Sequence, residues 1–331
     1  MKRVFVTGGT GFLGAHLLPR LVEDGYEVHV LARPTARRDH LAGLPLCWHE
    51  GDLGDPDSLE RALRSAGEGT AVVHGAARIS YRSSDQERSE QVNVTGTEHL
   101  LRVARATGAA RFCFVSSVVA VGQAATPDAA LDEDHPFDGH RLGCVYVSTK
   151  RAAEERVLAA GEDLDVVVVC PGAIFGPAPE PSNTTKFLRS VARSPIPLPT
   201  PPGSLSVVGV EDVADGVVRA LERGESGRRY LLTESNWTLA ELFRFVRRRL
   251  GLRPGPGALP PWCWRVVVSC ATTLDRLRPF EVAAPQALRL LGEHYRFDSS
   301  RAQRELGWRP APFEQVLDET VAWMRREGHL A

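Results

Sequence analysis

At 331 residues, with a net charge of -1 and 24% charged residues, the chain suits one large or two unequal domains with a full core. It carries no overall charge that would draw it to nucleic acid or an anionic membrane. Its six cysteines lack metal-ligand spacing and mostly sit in apolar, strand-like runs, which predicts reduced, buried residues in a cytoplasmic protein with no metal.

"RVFV" at 3–6 reads as a short buried strand. Ala15 onward, with Leu17, Leu18 and Leu21, reads as a helix with one apolar face. Between them lies "TGGTGFLG", starting so close to Met1 that no signal peptide is expected. In such a turn Gly8 and Gly11 let the backbone approach a pyrophosphate at the helix N-terminus, and Gly14 lets the helix lie close to its strand. A second strand follows, "EVHVLAR" at 27–33. Where an NAD-preferring fold places a carboxylate for the ribose 2′-hydroxyl, this chain has Ala32 and Arg33. Arg33, helped by Arg37 or Arg38, can pair with a 2′-phosphate, so NADP(H) is the expected cofactor, with NAD(H) the alternative.

The third strand, "LPLCWHEGDL" at 44–53, ends on Asp52, placed to accept a hydrogen bond from an adenine amino group. The helix "DSLERALRSAG" leads to the fourth, "TAVVHGAA" at 70–77, where small Ala76 and Ala77 let a cofactor pass and His74 reads as a packed strand residue. "NVTGTEHLLRVARATG" is helical, with Asn93 placed to cap it or to cross-link backbone nearby. "ARFCFVSS" at 110–117 and "DVVVVCPG" at 165–172 are the fifth and sixth strands. Strands alternating with helices predict an α/β fold with a doubly wound parallel sheet, whose ligands bind at the strands' carboxyl ends.

Between the last two strands, "YVSTK" puts Tyr146 and Lys150 on one face of a helix. A carbonyl reductase needs a proton donor at the oxygen as hydride arrives. Bringing tyrosine's pKa down from about 10 toward neutrality takes roughly 4 kcal/mol, which one ammonium about 4 Å away supplies at an effective dielectric of about 20. Lys150 is that ammonium, and Ser117 can bond the same oxygen.

After Pro171 the chain turns Pro-rich. "SLSVVGVEDVADGVVRAL" and "RRYLL" read as a returning strand, helix and strand, and the remainder from about Asn236 is mainly helical. This gives a dinucleotide-binding domain of residues 1–171 with 206–235, and a smaller, mostly helical substrate domain of 172–205 with 236–331. "FRFVRRRL" at 243–250 reads as a helix with a solvated arginine face. "PPWCWRVVVSCATTLDRL" at 260–277 is interrupted by Arg265 and too short to span a bilayer. It reads as a core helix lining an apolar pocket, with membrane-surface contact the alternative.

The set "TGGTGFLG", "GDL", "HGAA", "NVTGT", "FVSS", "YVSTK", "PGAIFGP", "VGVEDVA" and "SSRAQRELGW" resembles the extended short-chain dehydrogenase/reductase, or NAD-dependent epimerase/dehydratase, family almost end to end. The resemblance implies a catalytic triad of Ser117, Tyr146 and Lys150, with Lys150 also on the nicotinamide ribose. It implies pyrophosphate contacts from Gly8, Gly11, Phe12 and Leu13, closed by Gly14, with Leu53 and Pro171 among the further cofactor contacts, and a homodimer paired through the helices after the fourth strand and at Tyr146. Two departures remove charge from the substrate side. Leu205 stands near where nucleotide-sugar enzymes carry a diphosphate-binding arginine, and Cys170-Pro171 replaces Arg-Pro. Together with Arg33 and the apolar "PPWCWRVVVSC" helix they make the chain resemble the dihydroflavonol-reductase and hydroxysteroid-dehydrogenase branch, which implies a ketoreductase or alcohol dehydrogenase for a fairly apolar substrate. A nucleotide-sugar epimerase or dehydratase with tightly held NAD is the alternative, with Arg189 or Arg193 substituting for the absent cation.

Overall fold

The computed structural model describes residues 2–138, 142–179, 182–194, 196–277 and 285–330. Strands β1 (Arg3–Thr7), β2 (Glu27–Ala32), β3 (Leu46–Glu50), β4 (Ala71–His74), β5 (Arg111–Val115), β6 (Val166–Pro171) and the later β9 (Arg229–Leu232) form one seven-stranded sheet in the order β3-β2-β1-β4-β5-β6-β9. Every pairing in it is parallel. Its central strands are short runs of Val and Phe, and β6, "VVVVCP", is buried at every position, as a sheet covered on both faces requires.

One face is closed by α2 (Pro56–Ala66), α4 (Gly96–Ala106) and α5 (Val145–Ala159), through Leu59, Leu63, Leu100, Val103 and Val157. A short helix, α3 (Gln86–Glu90), runs into a π-helical turn, Gln91–Thr95, before α4 begins. The other face is closed by α1 (Gly14–Glu23), α7 (Val210–Arg223) and α11 (Ser300–Glu305), through Leu17, Leu18, Val213, Val217 and Ala302.

A second, four-stranded sheet follows: β8 (Ser204–Gly209) lies antiparallel to β10 (Ser235–Thr238) and parallel to β7 (Ala173–Phe175) and β11 (His294–Tyr295). Against it stand α6 (Asn183–Arg193), α8 (Leu239–Arg249) and the closing α12 (Phe313–Arg326), round a core of Phe175, Leu188, Val207, Phe245 and Phe313. The boundary expected at residue 206 therefore falls inside β8. That strand belongs to the second sheet, whereas α7 and β9 belong to the first.

Three readings of the sequence are corrected. Arg247 is not on a solvated face: it is buried, and its guanidinium donates to the carbonyls of Arg253 and Ser194, at 2.5 and 2.9 Å, tying α8 to the neighbouring loops. Cys47, on the edge strand β3, and Cys270 are exposed, although all six cysteines are free thiols. The helix α9 (Pro261–Leu277), joined to α10 (Pro285–Leu290), is no core helix: Trp264 is buried, but Trp262, Val266, Val267 and Leu274 face solvent.

Candidate active site

The carboxyl ends of β1, β2, β4, β5 and β6 open onto a cleft of about 530 Å³. Its lining holds thirteen of the residues expected from sequence: Gly8, Gly11, Phe12, Leu13, Arg33, Asp52, Leu53, Ala76, Ala77, Ser117, Tyr146, Lys150 and Pro171. Gly14 and Arg37 lie outside it.

The three glycines have separable duties. Gly8 has φ +78°, and a Cβ there would sit 2.6 Å from the Ala76 nitrogen, so β4 can approach only a glycine. A Cβ on Gly14 would meet the Gly9 carbonyl oxygen at 2.2 Å, so Gly14 closes the turn on itself. Gly11 is crowded only by the Gly8 oxygen at 3.3 Å and lines the cleft. No side chain caps α1. The Ala15 and His16 N–H groups donate to the Gly11 and Leu13 carbonyls at 3.0 and 3.1 Å, so what the helix start offers an anion is its positive dipole end. An open glycine, an uncapped helix start and a cleft running from Arg33 to Tyr146 fit a dinucleotide.

At the far end of the cleft Arg33 is exposed. Arg38 does not line the cleft; its guanidinium stacks 4.6 Å over the Trp48 ring. Asp52 bonds the Gly54 N–H at 2.8 Å, closing its own turn. His74 is the packed residue expected, its ring nitrogens bonded to Thr7 at 2.7 Å and Thr97 at 2.9 Å, and burial pushes its pKa down to about 3. Asn93, within the π-helical turn, cross-links rather than caps. It accepts from the Arg78 N–H at 2.7 Å and donates to the Arg78 carbonyl and to Thr149 on α5.

Tyr146 lies in the first turn of α5, its ring edge-on to Tyr81 with centroids 5.9 Å apart. The first N–H of that helix is capped from a distance: Val145 N donates to Gln286 Oε1 at 3.0 Å, from α10. Lys150 is buried, donates to the Val115 carbonyl at 2.8 Å and lies 4.9 Å over the Phe114 ring. The expectation that Tyr146 is acidified does not hold in this geometry. Burial raises its pKa and outweighs the hydrogen bond with Ser117 that lowers it. Burial also acts on Lys150, bringing its pKa down to about 8, against the opposing pull of Glu154.

Glu154 was missed from sequence. It is fully buried one turn beyond Lys150, takes a 2.5 Å hydrogen bond from Ser116 and stands 3.1 Å from the Arg229 guanidinium on β9. Arg78 and Arg88 also line the cleft unannounced; Arg78 is paired with Asp85 at 2.9 Å. Arg189 and Arg193 do not line it.

The chain is similar to known proteins along its length. The model of the NAD dependent epimerase/dehydratase family matches residues 4–232. The chain belongs to that family. A provisionally named dihydroflavonol 4-reductase of Synechocystis sp. is 31% identical over 336 residues, 98% of this chain and 95% of that one. Sterol demethylase protein B of Methylococcus capsulatus is 34% identical over 331 residues, 98% of each chain. The crystal structure of gox2253 superposes with a TM-score of 0.86 at 30% identity over 100% of both chains. As a member of this epimerase/dehydratase family the chain is an NAD(P)-dependent enzyme acting on CH–OH or carbonyl groups. No described helix is long and apolar enough to cross a membrane.

Proposed function

We propose that the chain is an NADP(H)-dependent oxidoreductase that interconverts a fairly apolar ketone and its secondary alcohol, working in the cytoplasm as a homodimer. The observation that carries the substrate class is the position nucleotide-sugar enzymes reserve for a diphosphate-binding cation. There Leu205, paired with Trp237 across β8 and β10, joins the aromatic core of the second sheet, and neither Arg189 nor Arg193 reaches the cleft. The names of a dihydroflavonol reductase and a sterol-processing protein among the relatives support the same class.

When bound, the nicotinamide supplies or receives the hydride. Gly8, Gly11, Phe12, Leu13 and the start of α1 would hold the pyrophosphate, Gly14 would keep their turn closed, and Arg33 would take the 2′-phosphate, with Asp52, Leu53, Ala76, Ala77 and Pro171 along the remainder of the dinucleotide. Tyr146 donates the proton to the carbonyl oxygen, Ser117 holds that oxygen in place, and protonated Lys150 supports the tyrosinate that results. Two measurements test this. Nucleotide released on denaturing fresh protein is identified by mass spectrometry, and NADPH and NADH are compared as reductants of a panel of hydrophobic ketones for the native chain and for Arg33→Asp. Preference for NADPH in the native chain, lost in Arg33→Asp, is expected. Tightly retained NAD with no net cofactor consumption would assign an epimerase instead.

A further inference from the structure

Helix α9 carries Trp262, Val266, Cys270 and Leu274 at intervals of four, one stripe along its length. The three large apolar members of that stripe are 50–67% exposed, and Cys270 is exposed with them. Trp264, on the other side, is buried and donates its indole N–H to the Leu288 carbonyl at 3.1 Å, holding the helix to α10 with the stripe outward. The surface continues beyond α9. Thr200 pairs with the segment leading into the helix, through Gly257 and Leu259. Ile196 and Leu198, 69% and 68% exposed, lie just before this pairing in the chain.

The chain segments that carry this apolar surface, with α6 and α8 beside them in the sequence, are rich in basic residues. Residues 182–200 and 236–277 contain ten Lys and Arg but two Asp and Glu, in a chain whose net charge is -1. Arg265 is exposed on α9 itself and Arg253 on the segment leading into it, whereas Arg247 is buried and Arg249 is paired with Asp318 at 3.1 Å. Apolar side chains that stand in solvent with exposed arginines on the same segments match a bilayer interface. There the arginines meet anionic headgroups while Trp, Val and Leu enter the acyl boundary.

We propose that α9 and the 196–198 loop dock the protein on the surface of an anionic lipid bilayer, without spanning it. A substrate dissolved in the membrane would then meet the enzyme at its own surface, but the docking itself does not depend on the substrate reading.

The test is co-sedimentation of the full chain with vesicles of phosphatidylcholine alone and of phosphatidylcholine with half phosphatidylglycerol, at low and high salt. Trp fluorescence is read on the same samples. Binding to the anionic vesicles that weakens with salt is expected. Trp262→Ser/Val266→Ser should lose about tenfold or more of that affinity, because two buried apolar anchors are removed. Arg253→Glu/Arg265→Glu should lower both affinity and salt dependence. Circular dichroism and NADPH binding check that each variant is folded. No sedimentation with anionic vesicles at low salt, or equal binding by Trp262→Ser/Val266→Ser, overturns the proposal. So does a concentration-dependent dimer in sedimentation velocity that this variant dissolves, since the stripe would then belong to a second copy.

Discussion

Replacing Glu154 by glutamine separates the charge of this residue from its shape. Glutamine keeps the side-chain volume and can still bond Ser116, but it leaves Lys150 without the buried carboxylate one helical turn away. Side chains four apart on a helix lie roughly 6 Å apart. At an effective dielectric of about 20 a unit charge at that range is worth about 2.8 kcal/mol, two powers of ten in a protonation equilibrium. Burial already brings the Lys150 pKa down to about 8, with Glu154 opposing the fall. Removing the carboxylate therefore lowers it further. The sign follows: Lys150 is charged below its pKa and loses its proton as pH rises, so the variant sheds that charge at lower pH and the alkaline limb of turnover moves toward neutrality. The chain has three lysines, Lys2, Lys150 and Lys186, so carbon-13 NMR of ε-labelled lysine reads Lys150 directly, with the other two as controls. An unchanged Lys150 midpoint in Glu154→Gln would refute the argument. The same variant leaves Arg229, whose side chain is 14% exposed, facing a neutral group. Breaking a buried pair costs about 3–5 kcal/mol; Glu154→Gln/Arg229→Gln should recover stability without restoring the titration.

Tyr146→Phe should lower turnover about 10²- to 10⁴-fold, the range of a lost proton donor, while the NADPH dissociation constant measured by fluorescence titration stays within about twofold. A large loss of cofactor affinity would count against the assigned role. Gly14→Ala should destabilise by about 1–3 kcal/mol in urea unfolding, because the added Cβ meets backbone at Gly9. Gly11→Ala should fold normally and lose nucleotide affinity, and equal behaviour of the two variants would undo the separation of their duties. Gln286→Ala removes a cap from the first turn of α5 and should cost about 1 kcal/mol, seen as a lower melting temperature.

The first sheet is legible in the sequence because its strands are short apolar runs at regular spacing and its helices carry one apolar face each. Those are the two periodicities that burial on both faces of a parallel sheet enforces. The second sheet is not. β10 is "SNWT", with no apolar alternation, and it earns its place only by pairing with β8 in register with Leu205 and Val207. α9 failed for a related reason. Hydrophobic content is the same for a helix inside a core and for one lying on a surface, and only the partners of Trp264 show which side turns inward. The glycines and alanines that line the cleft were legible because they answer to backbone geometry. Glu154 was not. "AAEERV" offers two adjacent glutamates on one helix, and only the sheet beneath distinguishes buried Glu154 from exposed Glu155.

That distinction bears on whether Lys150 keeps its charge beside the tyrosine. A lysine 4 Å from a phenol suffices on magnitude if the lysine stays charged, yet the burial that strengthens its field also drives off its proton. In this structure the two effects meet at Lys150: burial brings its pKa down to about 8, against the pull of Glu154. Glu154 resolves the conflict only if it too is kept ionised, against burial that raises its pKa. Arg229, Ser116 and Arg151 oppose that rise. From the cleft outward the groups follow one another as the Tyr146 phenol, the Lys150 amine, the Glu154 carboxyl and the Arg229 guanidinium. The last of these lines a separate cleft of about 550 Å³ with Glu133 and Arg301. The strand that supplies Arg229 is β9, the edge strand that pairs with β6 at Val168, so the chain's late return to the first sheet places the guanidinium that faces buried Glu154.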